Sequence, residues 1–151
     1  MTFDKAAAQA LFDALRSHAM ELGIFHGRVN THAPLAPSGE DVSAWITLGI
    51  VRPVQSSGLA AVSIEVTFVI HVTSSLLQRP LDGVDPAVLG AVTTLLAAYA
   101  GDFTLGGLVR EVSIFGGLQA QPGYMDFGGK PLRAVEITLP CIINDAWDEV
   151  P

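Results

Sequence analysis

Fifteen acidic against eight basic residues give this chain of 151 a formal net charge of −7, and the basic ones (Lys5, Arg16, Arg28, Arg52, Arg79, Arg110, Lys130, Arg133) are scattered singly. That balance excludes a phosphate-gripping surface, which needs clustered Lys and Arg. The length suits a single domain, 1–151, and the 15% charged content, below the usual quarter, fits either extensive burial in an oligomer or a plain Val/Leu/Ala-rich fold.

Thr2 caps a first helix that runs to Leu22, with Asp4 in the favourable first turn and Gly23 as its stop, so that 1–23 is the N-terminal helical segment. Ala8, Leu11, Phe12, Leu15, Ala19 and Leu22 share one face, opposite Lys5, Gln9, Asp13, Arg16 and Met20. This is an amphipathic helix lying on something apolar. It also lacks the basic start and apolar block of a signal peptide, and no apolar run approaches the ~20 residues of a membrane span. The expectation is a soluble protein made inside the cell, with no membrane partner.

A short strand follows over 27–32, then an exposed Pro- and acid-bearing loop over 33–41. A strand over 42–51 is bounded by Pro53, and 53–58 connects it to the next in a hairpin-like loop. Along 59–73, Val62, Ile64, Val66, Phe68, Ile70 and Val72 alternate with Ser63, Glu65, Thr67, Val69, His71 and Thr73, which predicts a half-buried antiparallel strand. A second exposed loop spans 74–85.

The stretch 86–101, PAVLGAVTTLLAAYAG, carries no charge. Asp85 reads as its cap, Pro86 as its first residue and Gly101 as a left-handed stop. A helix apolar on nearly all sides is usually buried on nearly all sides. In so small a chain another subunit is expected to cover what the sheet cannot, with Val88, Val92, Leu95 and Tyr99 as subunit-interface residues.

Beyond it come a glycine-bearing turn over 101–107 and a strand over 108–115. Segments 124–127 and 131–139 flank Gly128-Gly129, a hairpin signal because paired glycines reach positive φ easily. A last segment, 140–147, precedes a short acidic tail, 148–151. The order predicts an α+β fold: an antiparallel or mixed sheet with two main helices packed on it.

No catalytic constellation emerges. His18, His26, His32 and His71 lack metal-site spacing: His26 and His32 on one strand stand about 20 Å apart at ~3.3 Å per residue. The pairs Gly106-Gly107, Gly116-Gly117 and Gly128-Gly129 lack what a phosphate loop or dinucleotide fingerprint requires and read as turns. No G-x-S-x-G elbow is present. Asp102 and Asp126, in glycine-rich turns, are expected to bond their own backbone. Tyr124 and Trp147 read as packing anchors, and Cys141, in LPCII, as a small buried hydrophobe. An enzyme reading has one nominee, His71 with Glu65 or Thr67 on the same strand face.

Several blocks carry a resemblance: IVRPVQSSG over 50–58, DGVDPAVLGAVTTLLAAYAGDFTLGG over 82–107, QPGYMDF over 121–127 with Gly128-Gly129-Lys130 behind it, and RAVEITLPCIINDAW over 133–147. Together they resemble the tail terminator (tail-completion) proteins of long-tailed, siphophage-type phages of actinobacteria. The similarity covers most of the chain from Val42 onward, and the first helix fits by position. It implies a non-enzymatic virion protein without cofactor or metal, forming a ring, typically hexameric, at the head-proximal end of the tail. Such a ring caps the tube of the major tail protein, stops its polymerisation, and offers the head–neck connector or stopper a joining surface. It assembles in the host cytoplasm, and DNA passes its lumen without specific binding.

Loops 33–41 and 74–85 are long enough to reach a neighbouring ring, and Leu76, Leu77, Arg79, Leu81 and Asp82 suit a docking surface that orders on contact. The rivals are another ring of the same virion, tail tube or head–neck adaptor, and a small oligomeric α+β enzyme.

Overall fold

A computed structural model describes residues 3–25, 29–31, 42–54, 61–76, 83–102, 104–115, 117–127 and 129–148. In chain order the elements are α1 (Lys5–Glu21), β1 (Val29–Asn30), β2 (Ser43–Val54), β3 (Ala61–Ser75), α2 (Val84–Gly101), β4 (Glu111–Val112), β5 (Gln119–Phe127) and β6 (Lys130–Asp148). The strands form one curled sheet in the order β1-β2-β3-β6, with β5 and β4 following one another along the far side of β6. β1 runs parallel to β2 and every other pairing is antiparallel, so the sheet is mixed. With two helices packed on it, the chain is α+β.

The alternating strand is the centre of this sheet. Ile64, Val66, Phe68, Ile70 and Val72 of β3 are fully buried. Across the ladder Val66 stands opposite Cys141, Phe68 opposite Leu139, Ile70 opposite Ile137 and Val72 opposite Val135. Both helices lie over this face. α1 contributes Leu11, Leu15 and Ala19, and its Phe12 ring meets Phe68 edge-on at 5.1 Å. α2 contributes Val84, Val88, Ala91, Val92, Leu95 and Tyr99. His18 of α1 stacks on Tyr99 of α2 at 5.2 Å, tying the helices together. Each fully buried aliphatic side chain here contributes roughly 1.5–3 kcal/mol, so this one face supplies most of the stability.

Local signals fix the element ends. Asp4 is the N-cap of α1, its Oδ1 accepting from Ala7 N at 2.9 Å, whereas Thr2, the residue expected there, lies outside the described residues. Gly23 follows the helix at φ +69°. Gly129, at φ +82°, closes the β5–β6 hairpin, in which Phe127 faces Lys130. Asp126 and Asp102 take the predicted backbone roles, accepting from Gly129 N at 2.9 Å and Gly106 N at 3.2 Å.

Several expectations are corrected. α2 begins at Val84, two residues earlier than Pro86, with Gly83 at its N-cap, and Asp85 turns outward to Arg133 at 2.9 Å. Gly101 is helical and Asp102 is the C-cap. β2 continues through Pro53: β1 pairs only with Ala44 and Trp45, so the outer side there asks for no N–H donor. The strand over 108–115 is only the two-residue β4, while 131–139 and 140–147 are one strand, β6.

Pro140 is tolerated inside β6 because it sits where β5 has ended and β4 begins. Its carbonyl accepts from Ser113 N on that side, so the missing donor falls in the gap between the two short partners. Asp148 thus ends a strand and does not open a tail. A bulge in β2 lies between Leu48 and Val51; a Cβ on Gly49 would stand 3.0 Å from the Thr67 carbonyl oxygen, so the two backbones approach there as only glycine allows. The loop over 33–41, His26 and His32 lie outside the described residues.

By length and composition α2 is long and apolar enough to cross a membrane, where the sequence reading finds no such run. A third of it is buried, where its inner stripe packs onto β3 and β6.

Candidate functional site

The four α2 residues expected at a subunit interface, Val88, Val92, Leu95 and Tyr99, are all buried in the chain's own core. They recur at the spacing that faces the sheet, and Val88 and Val92 also line the groove described below. The outward face of α2 carries Ala87, Leu89, Gly90, Thr93, Thr94 and Ala97 instead. Thr93 and Thr94 return their hydroxyls to the carbonyls of Leu89 and Gly90 at 2.8 Å, which lets polar side chains sit on an otherwise apolar helix.

Of the expected docking loop, only Leu76 is described. Its N–H donates to the Pro131 carbonyl at 3.1 Å and its side chain packs half-buried against the core. Leu77, Arg79, Leu81 and Asp82 lie outside the described residues.

His71 projects from the helix-free face of the sheet, and its partners come from neighbouring strands. Its ring stacks on Trp45 at 5.0 Å, Nε2 lies 3.3 Å from Thr47 Oγ1, and Nδ1 lies 3.6 Å from Glu136 Oε1. Glu65 instead binds Arg52 at 3.0 Å, which corrects the grouping of His71 with Glu65 or Thr67. Burial holds His71 below the usual imidazole pKa, and the Glu136 carboxylate partly offsets this. A hydroxyl, an imidazole and a carboxylate in sequence resemble a base with its orienting group, but His71 lines none of the grooves described below.

Four of the described arginines are engaged one by one. Arg52, Arg110 and Arg133 pair with Glu65, Glu111 and Asp85, and Arg16 Nε donates to the Val29 carbonyl at 3.0 Å. Arg133 also lies over the exposed ring of Tyr124, 4.4 Å from its centroid. Tyr124 is therefore a surface ring under a cation, and Trp147 is also part-exposed; neither is the buried anchor expected. Cys141 is fully buried and its thiol is pushed up to about 12, first by burial and then by Glu65, so it is no nucleophile. Among the described residues no group of His, Cys, Asp and Glu is arranged to hold a metal ion.

What folding leaves open is apolar. The outer run of β2 exposes Leu48, Ile50 and Val51, and the turn after β4 carries a fully exposed Phe115. Between the first half of α2 and β5–β6 runs a groove of about 460 Å³, lined by Val88, Leu89, Val92, Ala120, Pro122 and Val135 and closed at one end by Asp85 and Arg133. A second groove, about 300 Å³, lies on the helix-free face between Ile50, Arg52, Thr67, Thr138 and Gly117.

Sequence reasoning missed these surfaces. Leu89 stands one residue past Val88 and so off the buried stripe, but on a helix apolar all round only the sheet sets which side is buried. For Ile50 there was no signal, because its exposure follows from the sheet face it lies on, beside Thr67, where no helix packs. The chain matches no family model and no curated protein.

Proposed function

We propose that this chain is a structural virion protein of the tail terminator type, forming a ring on the head-proximal end of a phage tail. The ring caps the tube of the major tail protein, ends its polymerisation, and offers the head–neck connector its joining surface. One observation carries the ring: the sheet ends in apolar, uncovered side chains at both of its edges, Leu48 to Val51 on β2 and the α2–β5 groove opposite. Two different patches on opposite edges are what a head-to-tail, closing assembly uses, whereas a two-fold dimer reuses one patch. Phe115, standing clear of the sheet, is the natural first contact with a neighbouring ring.

The charge fits the passage of DNA. A chain at −7 in which Arg52, Arg110 and Arg133 are already paired lines a lumen with negative charge, and a duplex slides through without being held.

Native mass spectrometry with negative-stain imaging tests the reading. A closed ring of fixed copy number is expected, which halts growth of purified tail tubes when added to them. A stable 15.9 kDa species at micromolar concentration refutes it, and filaments of the pure protein reassign it to the tube. In the phage that encodes it, an amber mutation should yield overlong or headless tails.

A further inference from the structure

The two open edges also match in charge, and each shows this through an ion pair that turns one member outward. On β2, Arg52 is 62% exposed while its partner Glu65 is 13% exposed. At the mouth of the α2–β5 groove the signs are reversed: Asp85 is 68% exposed and Arg133 17%. A guanidinium beside Ile50, on the strand face opposite Leu48 and Val51, thus marks one edge of the sheet, and a carboxylate beside Leu89 and Pro122 marks the other.

We propose that the α2–β5 groove of one copy receives the outer run of β2, Leu48 to Pro53, from the next copy, with Arg52 set against Asp85. The inference rests on the ring reading and names the surface that builds the ring. Apolar side chains supply the affinity, and the charge pair sets register and encounter rate. Backbone pairing is not the means. Pro53 and the bulge at Gly49 blunt the β2 edge, and Pro122 blunts β5, so the strands do not simply extend one another's sheet. Because the two surfaces differ and lie on opposite edges, every copy can give one and receive one, and the contact repeats until the ring closes.

Charge exchange tests it with the full chain. Arg52→Asp and Asp85→Arg should each raise the dissociation constant of the ring by about tenfold or more, read by analytical ultracentrifugation at micromolar concentration. Mixing the two variants restores opposite charges at every junction, so the mixture should reassemble into rings of alternating copies. Each variant forming normal rings alone, or a mixture that stays dissociated, overturns the inference. Should either exchange lower the melting temperature, Ile50→Glu at a 69% exposed side chain becomes the readout, monomers supporting the contact and intact rings overturning it.

The outcomes separate the two claims. A wild-type monomer removes ring and interface together, while wild-type rings unaffected by the exchanges remove only this interface. Rings that survive Leu89→Glu but no longer bind tail tubes assign the groove to the tube protein, and that also overturns it.

Discussion

Replacing Tyr99 by Phe should stabilise this protein, although it deletes a polar group from the best-packed part of the core. Tyr99 is fully buried, its ring stacks on His18, and among the described residues its hydroxyl has no hydrogen-bond partner. In the unfolded chain water satisfies that hydroxyl; in the folded one no described residue does, at a cost of about 1–3 kcal/mol. Phe keeps the ring and leaves a void of ~15 Å³, costing about 0.4 kcal/mol at ~24 cal/mol per Å³. The net expectation is a gain of roughly 0.6–2.6 kcal/mol, or about 1–10 °C in melting temperature for a chain of this size.

Urea unfolding followed by circular dichroism measures it, at matched protein concentration because assembly adds to apparent stability. Alkali gives a second readout. Burial, then Cys141, raises the Tyr99 pKa above 10.0, and burial, then Glu65, raises Cys141 from 9.0 to about 12. Both protonated forms are favoured by folding, so this stability is present below pH 9.0 and lost as pH rises through the folded values. The wild-type slope should approach about 1.4 kcal/mol per pH unit for each group, and Tyr99→Phe should lose less above pH 10. A variant destabilised by about 1 kcal/mol at neutral pH would refute the reasoning, since the hydroxyl must then have a partner.

His71 titrates below its ordinary value, so its neutral form supports folding above pH 6.5 and that support is lost as pH falls toward the folded pKa. His71→Gln should flatten the acid limb of a melting-temperature profile between pH 7.5 and 5, and in a Trp147→Phe background the stacked Trp45 should change its fluorescence over the same window; an unchanged acid limb counts against the assignment. Gly129→Ala forces a side chain to φ +82° and should cost roughly 1–2 kcal/mol by chemical denaturation, with a neutral result showing that the hairpin relaxes.

The parts of this fold legible in the sequence are those set by neighbours a few residues apart. The two-residue alternation of β3, the stripe of α1 and the turn roles of Asp102, Asp126 and Gly129 all rest on such local chemistry. The α2 helix was visible for the same reason, but its orientation was not. A helix apolar all round has no face of its own, so only the sheet decided that Val88, Val92, Leu95 and Tyr99 turn inward and Leu89 outward.

The candidate surfaces were the least legible. Asp85 meets Arg133 across 48 positions, His71 meets Thr47 across 24, and Ile50 is bare because it lies on the helix-free face beside Thr67. Strand register and strand length create these neighbours. Those are settled by which elements bury the most apolar surface together, a sum over the whole chain that no short window of sequence contains.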